Sequence, residues 1–131
     1  MMPMLFAQKA TSTTTETDWV DFDQQLINQL VADGKTVFVD VTADWCLTCK
    51  VNKKVVLDSS DVLSVFGEDD VVTMRADWTN PDPAIANYLA SFGRYGIPFN
   101  VVYGPSMPKG MPLPELLTKT AVIGAINDGR S

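Results

Sequence analysis

Two kinds of apolar segment follow each other along this chain. In one kind the apolar residues have helical spacing, and in the other they form short continuous runs. The first helical pattern lies in "DFDQQLINQLVADGK", where either Asp21 or Asp23 can cap the helix and Gly34 can end it. Its predicted apolar face consists of Phe22, Leu26, Leu30 and Val31. Further helices are predicted from about Cys46, in "SSDVLSVFG" up to Gly67, in "PAIANYLASFG" up to Gly93, and in "TKTAVIGAIND" after a cap at Thr118.

Three runs rich in β-branched residues predict buried strands at residues 35–43, 70–77 and 97–104. The prolines and glycines of "GPSMPKG" predict a loop after the third strand, and "MPLPELL" is expected to include an edge strand. Strands and helices thus alternate, which is typical of an α/β domain with helices on both faces of a central sheet. The threonine-rich start predicts a flexible tail or linker over residues 1–17, followed by one domain over residues 18–131.

Charge and composition narrow the possible functions. The chain has 16 acidic and 10 basic side chains, a net charge of −6 and no histidine. This acidic balance argues against binding to nucleic acid or to anionic membranes by charge. No apolar stretch approaches the ~20 residues that span a bilayer, so we expect no transmembrane helix. The first ten residues lack the charged start of a signal peptide, so we expect no signal peptide there. Without histidine, proton chemistry must rest on carboxylates, thiols or water.

The two cysteines, Cys46 and Cys49, allow three hypotheses. A structural zinc or iron–sulfur site normally needs about four thiolate or imidazole ligands, and this chain offers only two. A structural disulfide across so short a loop would remove little entropy from the unfolded chain. A strand followed by C-x-x-C at the start of a helix instead favours a reversible redox pair, which needs neither a metal nor another cofactor.

The redox hypothesis gives each residue a role. Cys46 is the expected nucleophile, because unpaired N–H groups and the dipole at a helix start favour a thiolate. Cys49, one turn later, lies close enough to resolve a mixed disulfide. Asp40 lies in an apolar strand, on the same face as Phe38. It is either an outward-facing carboxylate or a buried acid of raised pKa that accepts the proton of Cys49, and we predict the second.

Trp45, beside the predicted nucleophile, also has two possible roles. It is either a half-exposed part of the contact with a partner or a residue of the core. Because the substrate approaches next to it, we place it among the predicted contact residues.

Three segments resemble a known family. "VFVDVTADWCLTCKVNKKVVL", "RADWTNPDPAIANYLASFGRYGIPFNVVYGP" and "PLPELLT" are similar to the C-terminal thioredoxin-like domain of the thiol:disulfide interchange protein DsbD family and its ScsB-type relatives. The resemblance implies a thioredoxin fold with a mixed sheet. It also implies a periplasmic domain of an inner-membrane protein, which takes electrons from a membrane-embedded domain. The implied acceptors are periplasmic proteins such as disulfide isomerases, cytochrome c maturation proteins or copper-tolerance partners.

Carried over by position, the resemblance makes Cys46 the attacking cysteine, Cys49 the resolving cysteine and Asp40 the buried acid. It makes Pro98 a cis proline that faces the pair and leaves the backbone at Ile97 free to contact a substrate segment. Without the resemblance, Pro98 would be an ordinary trans proline at the edge of a strand.

One position departs from the family. Its best-known members carry a second carboxylate four positions after the second cysteine, where this chain has Lys53. If Lys53 approaches Asp40 or the thiols, it favours their ionised forms. If it points to solvent, which is the alternative we expect, it changes nothing.

The direction of electron flow is expected to be reducing. Leu47 and Thr48 separate the cysteines, and Asp40 and Asp44 lie nearby, so the reduced thiolate is weakly stabilised. We expect a monomeric reductant with a potential nearer the thioredoxin value of about −270 mV than the DsbA value of about −120 mV. The alternatives are a stand-alone periplasmic disulfide oxidase or isomerase, and a non-catalytic docking or copper-binding module.

Overall fold

The computed structural model describes residues 18–130, and the tail predicted over residues 1–17 lies outside that range. The strands in this range are β1 (Val20–Asp21), β2 (Thr36–Thr42), β3 (Val71–Asp77), β4 (Phe99–Gly104) and β5 (Met107–Pro112). They form one sheet in the order β1-β3-β2-β4-β5. Strands β1, β3 and β2 are parallel to one another, whereas β4 is antiparallel to β2 and β5 is antiparallel to β4. The sheet is therefore mixed.

The helices of residues 18–130 are α1 (Gln24–Ala32), α2 (Leu47–Asn52), α3 (Ser60–Phe66), α4 (Pro83–Ser91) and α5 (Lys119–Gly129). Two helices start at caps that the sequence predicted. Asp23 accepts a hydrogen bond from the backbone N–H of Gln25 at 3.0 Å, and Thr118 accepts one from Ala121 at 3.1 Å. The alternative cap for α1, Asp21, lies in β1 instead.

The helices in the described range are short. The longest, α5, has 11 residues, and none of them is long and apolar enough to cross a membrane. A π-helical segment, Lys53–Leu57, directly continues α2 where the sequence pattern predicted an ordinary helix. Such π-turns frequently occur next to functional sites.

The sheet separates two apolar cores. One lies against α1 and α4 and contains Val39 and Tyr88, and the other lies against α3 and α5 and contains Phe38 and Ile126. Helices thus cover both faces, which confirms the predicted α/β architecture. Because neighbouring residues of a strand point to opposite faces, Asp40 lies on the face of Phe38. The π-helical segment packs on that same face.

The edge strand differs from the sequence prediction. Residues 107–112 form β5, in a stretch predicted mainly as a loop, and only its last two residues belong to "MPLPELL". Pro108 and Pro112 are tolerated there because an edge strand does not need every N–H for pairing. Gly110 adopts φ +90°, and the register of β5 against β4 shifts near Gly104. Turn-forming residues therefore mark an irregular edge strand rather than a loop.

Candidate active site

The two cysteines lie at the junction between β2 and α2. Cys46 is the N-cap of α2 and has an extended backbone conformation. Its Sγ accepts a hydrogen bond from the backbone N–H of Cys49 at 3.1 Å. The two side chains form a disulfide, with the Cα atoms 5.3 Å apart. The sulfurs are thus bonded at the start of a helix, which is the arrangement that the redox hypothesis requires.

The disulfide is buried, whereas the two side chains next to Cys46 in the sequence are exposed to solvent. Each cysteine is 5% exposed, but Trp45 and Leu47 on either side are 62% and 76% exposed. Ile97 packs against the small cluster that Ala43 forms with the cysteines. The exposure of Trp45 excludes the alternative that it is a core residue. The disulfide thus lies next to exposed apolar side chains.

Asp40 lies in the middle of β2 and is 7% exposed, so the alternative of an outward-facing carboxylate is wrong. Its Oδ1 accepts a hydrogen bond from Nδ2 of Asn100 at 2.7 Å. Burial raises the pKa of Asp40 to about 6, and the Asn100 hydrogen bond and the charges of Arg75 and Lys53 limit this rise. The carboxyl group can therefore take up and release a proton near neutral pH. Its role as the proton acceptor of Cys49 stays a prediction.

Asp40 and Cys49 line the same cavity, which has a volume of about 250 Å³. The other charged side chains that line it are Asp44, Lys50, Lys53, Arg75 and Asp77. Acidic and basic groups thus surround the space between the thiol position and the buried carboxyl group. A cavity of this size has room for several water molecules, and water can carry a proton between groups that line the same cavity.

Lys53 approaches the buried acid. It lines the cavity beside Asp40, and its positive charge favours the ionised form of that carboxyl group by lowering the Asp40 pKa. Its Nζ also forms an ion pair with Oδ2 of Asp58 at 2.8 Å. The expectation that Lys53 points to solvent and changes nothing is therefore wrong for Asp40. An effect of Lys53 on the thiols stays a prediction.

The loop after β3 fixes the residues in front of the cysteines. Thr79 accepts a hydrogen bond from the backbone N–H of Asp44 at 2.9 Å, and its carbonyl accepts one from Nε1 of Trp45 at 3.2 Å. Asp77 in turn accepts hydrogen bonds from the backbone N–H and the hydroxyl of Thr79, at 3.0 and 2.5 Å. Asp44 and Trp45 are thus held by a neighbouring loop, although Trp45 is exposed.

A second concave surface lies on the other side of the pair. The peptide bond between Ile97 and Pro98 is cis, as expected from the resemblance. A groove of about 570 Å³ extends from Ile97 past Trp45. The remaining residues that line it are Trp78, Thr79, Pro81, Tyr95 and Gly96. The structure therefore brings the predicted contact residues, Trp45 and Ile97, to one mostly apolar groove.

Two residues next to Asp40 were missed in the sequence. Asn100 lies directly opposite Asp40 on β4, and Arg75 lies opposite it on β3. Arg75 also places its guanidinium 4.4 Å from the ring centre of Trp19. A lone amide within an apolar strand was the available signal for Asn100, whereas Arg75 shares its strand with Thr73 and Asp77. Only the strand register shows that both residues meet at Asp40.

Within residues 18–130, no group of three or more cysteine, histidine or acidic side chains is arranged to hold a metal ion. The expectation that the pair works without a metal still rests on the types of residue in the chain, and it stays a prediction.

A family model described as thioredoxin-like matches residues 18–105, which is more than half of the 131 residues. The chain belongs to the thioredoxin-like family. This membership and the sheet described above agree with the fold expected from the sequence.

Solved thioredoxin-like structures show the same fold. The oxidised C-terminal domain of DsbD from Neisseria meningitidis superimposes with a TM-score of 0.65 at 21% identity, covering 82% of this chain and 92% of that one. The reduced form of the same domain gives a TM-score of 0.65 at 20% identity, with 85% and 100% covered. Thioredoxin NaTrxh from Nicotiana alata gives a TM-score of 0.62 at 18% identity, with 87% and 94% covered.

Sequence comparison gives relatives with the name expected from the resemblance. The thiol:disulfide interchange protein DsbD of Pseudomonas sp. strain JR1 / K1 is 35% identical over 75 residues, which is 57% of this thioredoxin-like chain and 12% of that protein. DsbD 2 of Pseudomonas aeruginosa is 32% identical over 85 residues, which is 65% of this chain and 14% of that protein. The resemblance to DsbD is therefore confirmed for part of the chain. The matched part corresponds to only about an eighth of the length of these relatives.

Proposed function

We propose that this thioredoxin-like chain is a protein-disulfide reductase that exchanges its Cys46–Cys49 pair with disulfides of other proteins. The observation that carries the proposal is the position of Asp40, a buried acid that shares one cavity with the second cysteine of a C-x-x-C pair. A structural disulfide would need no titratable group behind it. A resolving thiol needs a group that accepts its proton.

The exchange has two steps. In the reduced protein, the Cys46 thiolate attacks a partner disulfide, whose S–S bond breaks as a mixed disulfide forms and the leaving sulfur takes up a proton. Cys49 then transfers its proton to Asp40 and attacks Sγ of Cys46. The bond between Sγ of Cys46 and the partner sulfur breaks, and that sulfur leaves as a thiolate that takes up a proton from solvent. The partner is thus released as a dithiol, and the Cys46–Cys49 disulfide remains. Two electrons thus pass from the chain to the partner, with no cofactor beyond the two cysteines.

The likeness to DsbD supports a more specific role for this chemistry. Curated relatives named thiol:disulfide interchange protein DsbD match this chain over 75 to 95 residues. We place the chain on the periplasmic side of the inner membrane, as a monomeric module that a membrane-embedded donor domain reduces. Its acceptors would be periplasmic proteins that carry disulfides.

Trapping of the mixed disulfide tests the proposal. The Cys49→Ser variant lacks the resolving thiol, so Cys46 should hold a partner as a stable adduct that non-reducing gels and mass spectrometry detect. Cys46→Ser is the matched control and should trap no partner. An insulin-reduction assay, run beside a thiol-oxidation assay, separates a reductase from an oxidase or isomerase. Absence of both the adduct and insulin reduction would refute the proposed function.

A further inference from the structure

Asn100 is tied to Asp40 by both strand register and hydrogen bonding. The two residues are directly opposite in the β2–β4 pair, and Nδ2 of Asn100 donates to Oδ1 of Asp40 at 2.7 Å. Asn100 is 1% exposed, and its neighbours Phe99 and Val101 are fully buried apolar residues. An otherwise apolar strand therefore brings an amide to the predicted proton acceptor.

A purely structural role does not account for this amide. The Oδ1 of Asn100 is buried and has no hydrogen-bond partner within residues 18–130. A buried acceptor without a partner costs free energy that an apolar side chain of similar size would not. Within residues 18–130, the hydrogen bond that the Asn100 side chain makes is the one to Asp40. The favourable interaction of the amide is thus its hydrogen bond to the carboxyl group of Asp40.

Titratable and charged groups face Asp40 from each element around it. They are Arg75 and Asp77 of β3, Cys49 and Lys50 of α2, Lys53 of the π-helical segment and Asp44 of the preceding loop. Burial raises the Asp40 pKa, and the hydrogen bond from Asn100 opposes this rise more than the charge of Arg75 or that of Lys53 does singly. Asn100 therefore favours the ionised form without adding a charge of its own.

We propose that Asn100 is a positioning residue for the resolving step, because its amide holds one oxygen of the Asp40 carboxylate and keeps that group ionised until it takes the proton of Cys49. This inference rests on the proposed function, since it assigns a residue to that reaction. In the step, the S–H bond of Cys49 breaks and an O–H bond forms on Asp40. The electron pair left on sulfur then attacks Sγ of Cys46, whose bond to the partner sulfur breaks, and that sulfur leaves as a thiolate and takes up a proton from solvent. Asn100 itself transfers neither a proton nor electrons.

The pH profile of the resolving step tests this role. The reduced protein is mixed with dithionitrobenzoate, so that attack by Cys46 releases a first nitrothiobenzoate and resolution by Cys49 releases a second. In Asn100→Leu the second release should be about fivefold slower at pH 6, if the proton affinity of Asp40 rises tenfold. The difference should disappear near pH 9, where the carboxyl group is ionised in both proteins.

Thr36→Val is the matched control. Thr36 lies on β2, is fully buried, and has an Oγ1 without a hydrogen-bond partner in the described range, but it is four residues from Asp40. Its substitution removes a buried oxygen from the same sheet and should leave the pH profile unchanged. An unchanged profile in Asn100→Leu as well would overturn the role of Asn100.

A measurement on the oxidised protein separates this inference from the proposed function. The carboxyl carbon of Asp40, followed by NMR, should titrate near pH 6 in the wild type and at higher pH in Asn100→Leu. The side-chain amide signals of wild-type Asn100 should move with the same midpoint, which tests the coupling even if the variant does not fold. Amide signals that stay constant while Asp40 titrates would refute the inference. Absence of both the trapped adduct and insulin reduction, with the titrations of Asp40 and Asn100 still coupled, would refute the proposed function but not the coupling between these two residues.

Discussion

The backbone N–H of Cys49 points at the Sγ of Cys46, 3.1 Å away, in the first turn of α2. The same N–H can stabilise a negative charge on that sulfur once the disulfide is reduced. Cys49 lies instead beside the cavity that contains Asp40, where a neighbouring carboxylate disfavours a second negative charge. The two thiols should therefore differ in reactivity.

This asymmetry predicts the order of alkylation in the reduced protein. At pH 7, iodoacetamide should label Cys46 at least about tenfold faster than Cys49, because the thiolate is the reactive form. Quenching at short times and peptide mass spectrometry measure both rates. Faster labelling of Cys49 would show that Cys46 is not the nucleophile.

Asp40 should lower the stability of the fold at neutral pH. Its folded pKa of about 6 exceeds the value of 3.8 for a free carboxyl group, so the fold favours the protonated form. This contribution is fully present below about pH 4 and is lost as the pH rises through about 6. The loss amounts to about 3 kcal/mol. Asp40→Asn, which buries no charge, should therefore be more stable than wild type at pH 7.5 by up to this amount.

Urea unfolding of the oxidised protein at pH 7.5 and pH 4 measures this effect, and the gain should shrink at the lower pH. Asp44→Asn is the control, since it removes an exposed carboxyl group from the wall of the same cavity and should change stability by less than about 0.5 kcal/mol. Asp40→Asn should also slow the release of the second nitrothiobenzoate about 100-fold, because it removes the proton acceptor. A stability gain that is equal at both pH values would contradict the ionised state assigned to Asp40.

Lys53 should support the ionised form of Asp40 from the π-helical segment. In Lys53→Met the Asp40 pKa should rise, since a positive charge that lowers it is lost. The resolving step should slow at pH 6 by no more than about fivefold, because the lysine side chain is 39% exposed and its charge is screened by solvent. The release of the second nitrothiobenzoate measures this change.

Lys54→Met is the control for that variant. Lys54 is the next residue in the same segment and is exposed, but it is not among the residues that line the cavity. Both variants lose one positive charge, so they have the same effect on the net charge of the protein. If the two slowed the reaction equally, the effect would be one of overall charge rather than of contact with Asp40.

Local patterns were sufficient to predict most of the fold. Caps such as Asp23 and Thr118 act on their own first turn, so a short stretch of sequence contains all of their signal. The face of Asp40 followed from simple alternation within β2. The cysteine pair was equally local, because C-x-x-C at a helix start needs no distant residue to define it.

The features that were missed depend on contacts between distant segments. Asn100 is 60 residues from Asp40, and only the antiparallel register of β4 against β2 places them opposite each other. The position of Lys53 depends on a π-turn, which periodicity does not predict. The edge strand β5 was expected within residues 111–117 but begins at Met107, because proline and glycine usually signal loops, whereas an edge strand tolerates them.

Trp45 should contribute to the recognition of protein disulfides rather than to the exchange chemistry. Its ring is 62% exposed and lines the groove near Ile97, while its Nε1 is held by the carbonyl of Thr79 at 3.2 Å. A fixed, exposed aromatic ring offers apolar contact at a low entropic cost, and such residues often dominate binding. Trp45→Ala should therefore lower kcat/KM for insulin about tenfold, but change the rate with dithionitrobenzoate less than about twofold.

Leu116→Ala is the matched control, since Leu116 is also a large exposed apolar residue, 64% exposed, but does not line the groove. It should leave both rates unchanged, because its loss removes exposed apolar surface that is not part of the groove. Equal losses with insulin and with dithionitrobenzoate in Trp45→Ala would instead show that Trp45 acts on the thiols themselves. A loss confined to insulin supports the groove as the surface that receives the partner chain.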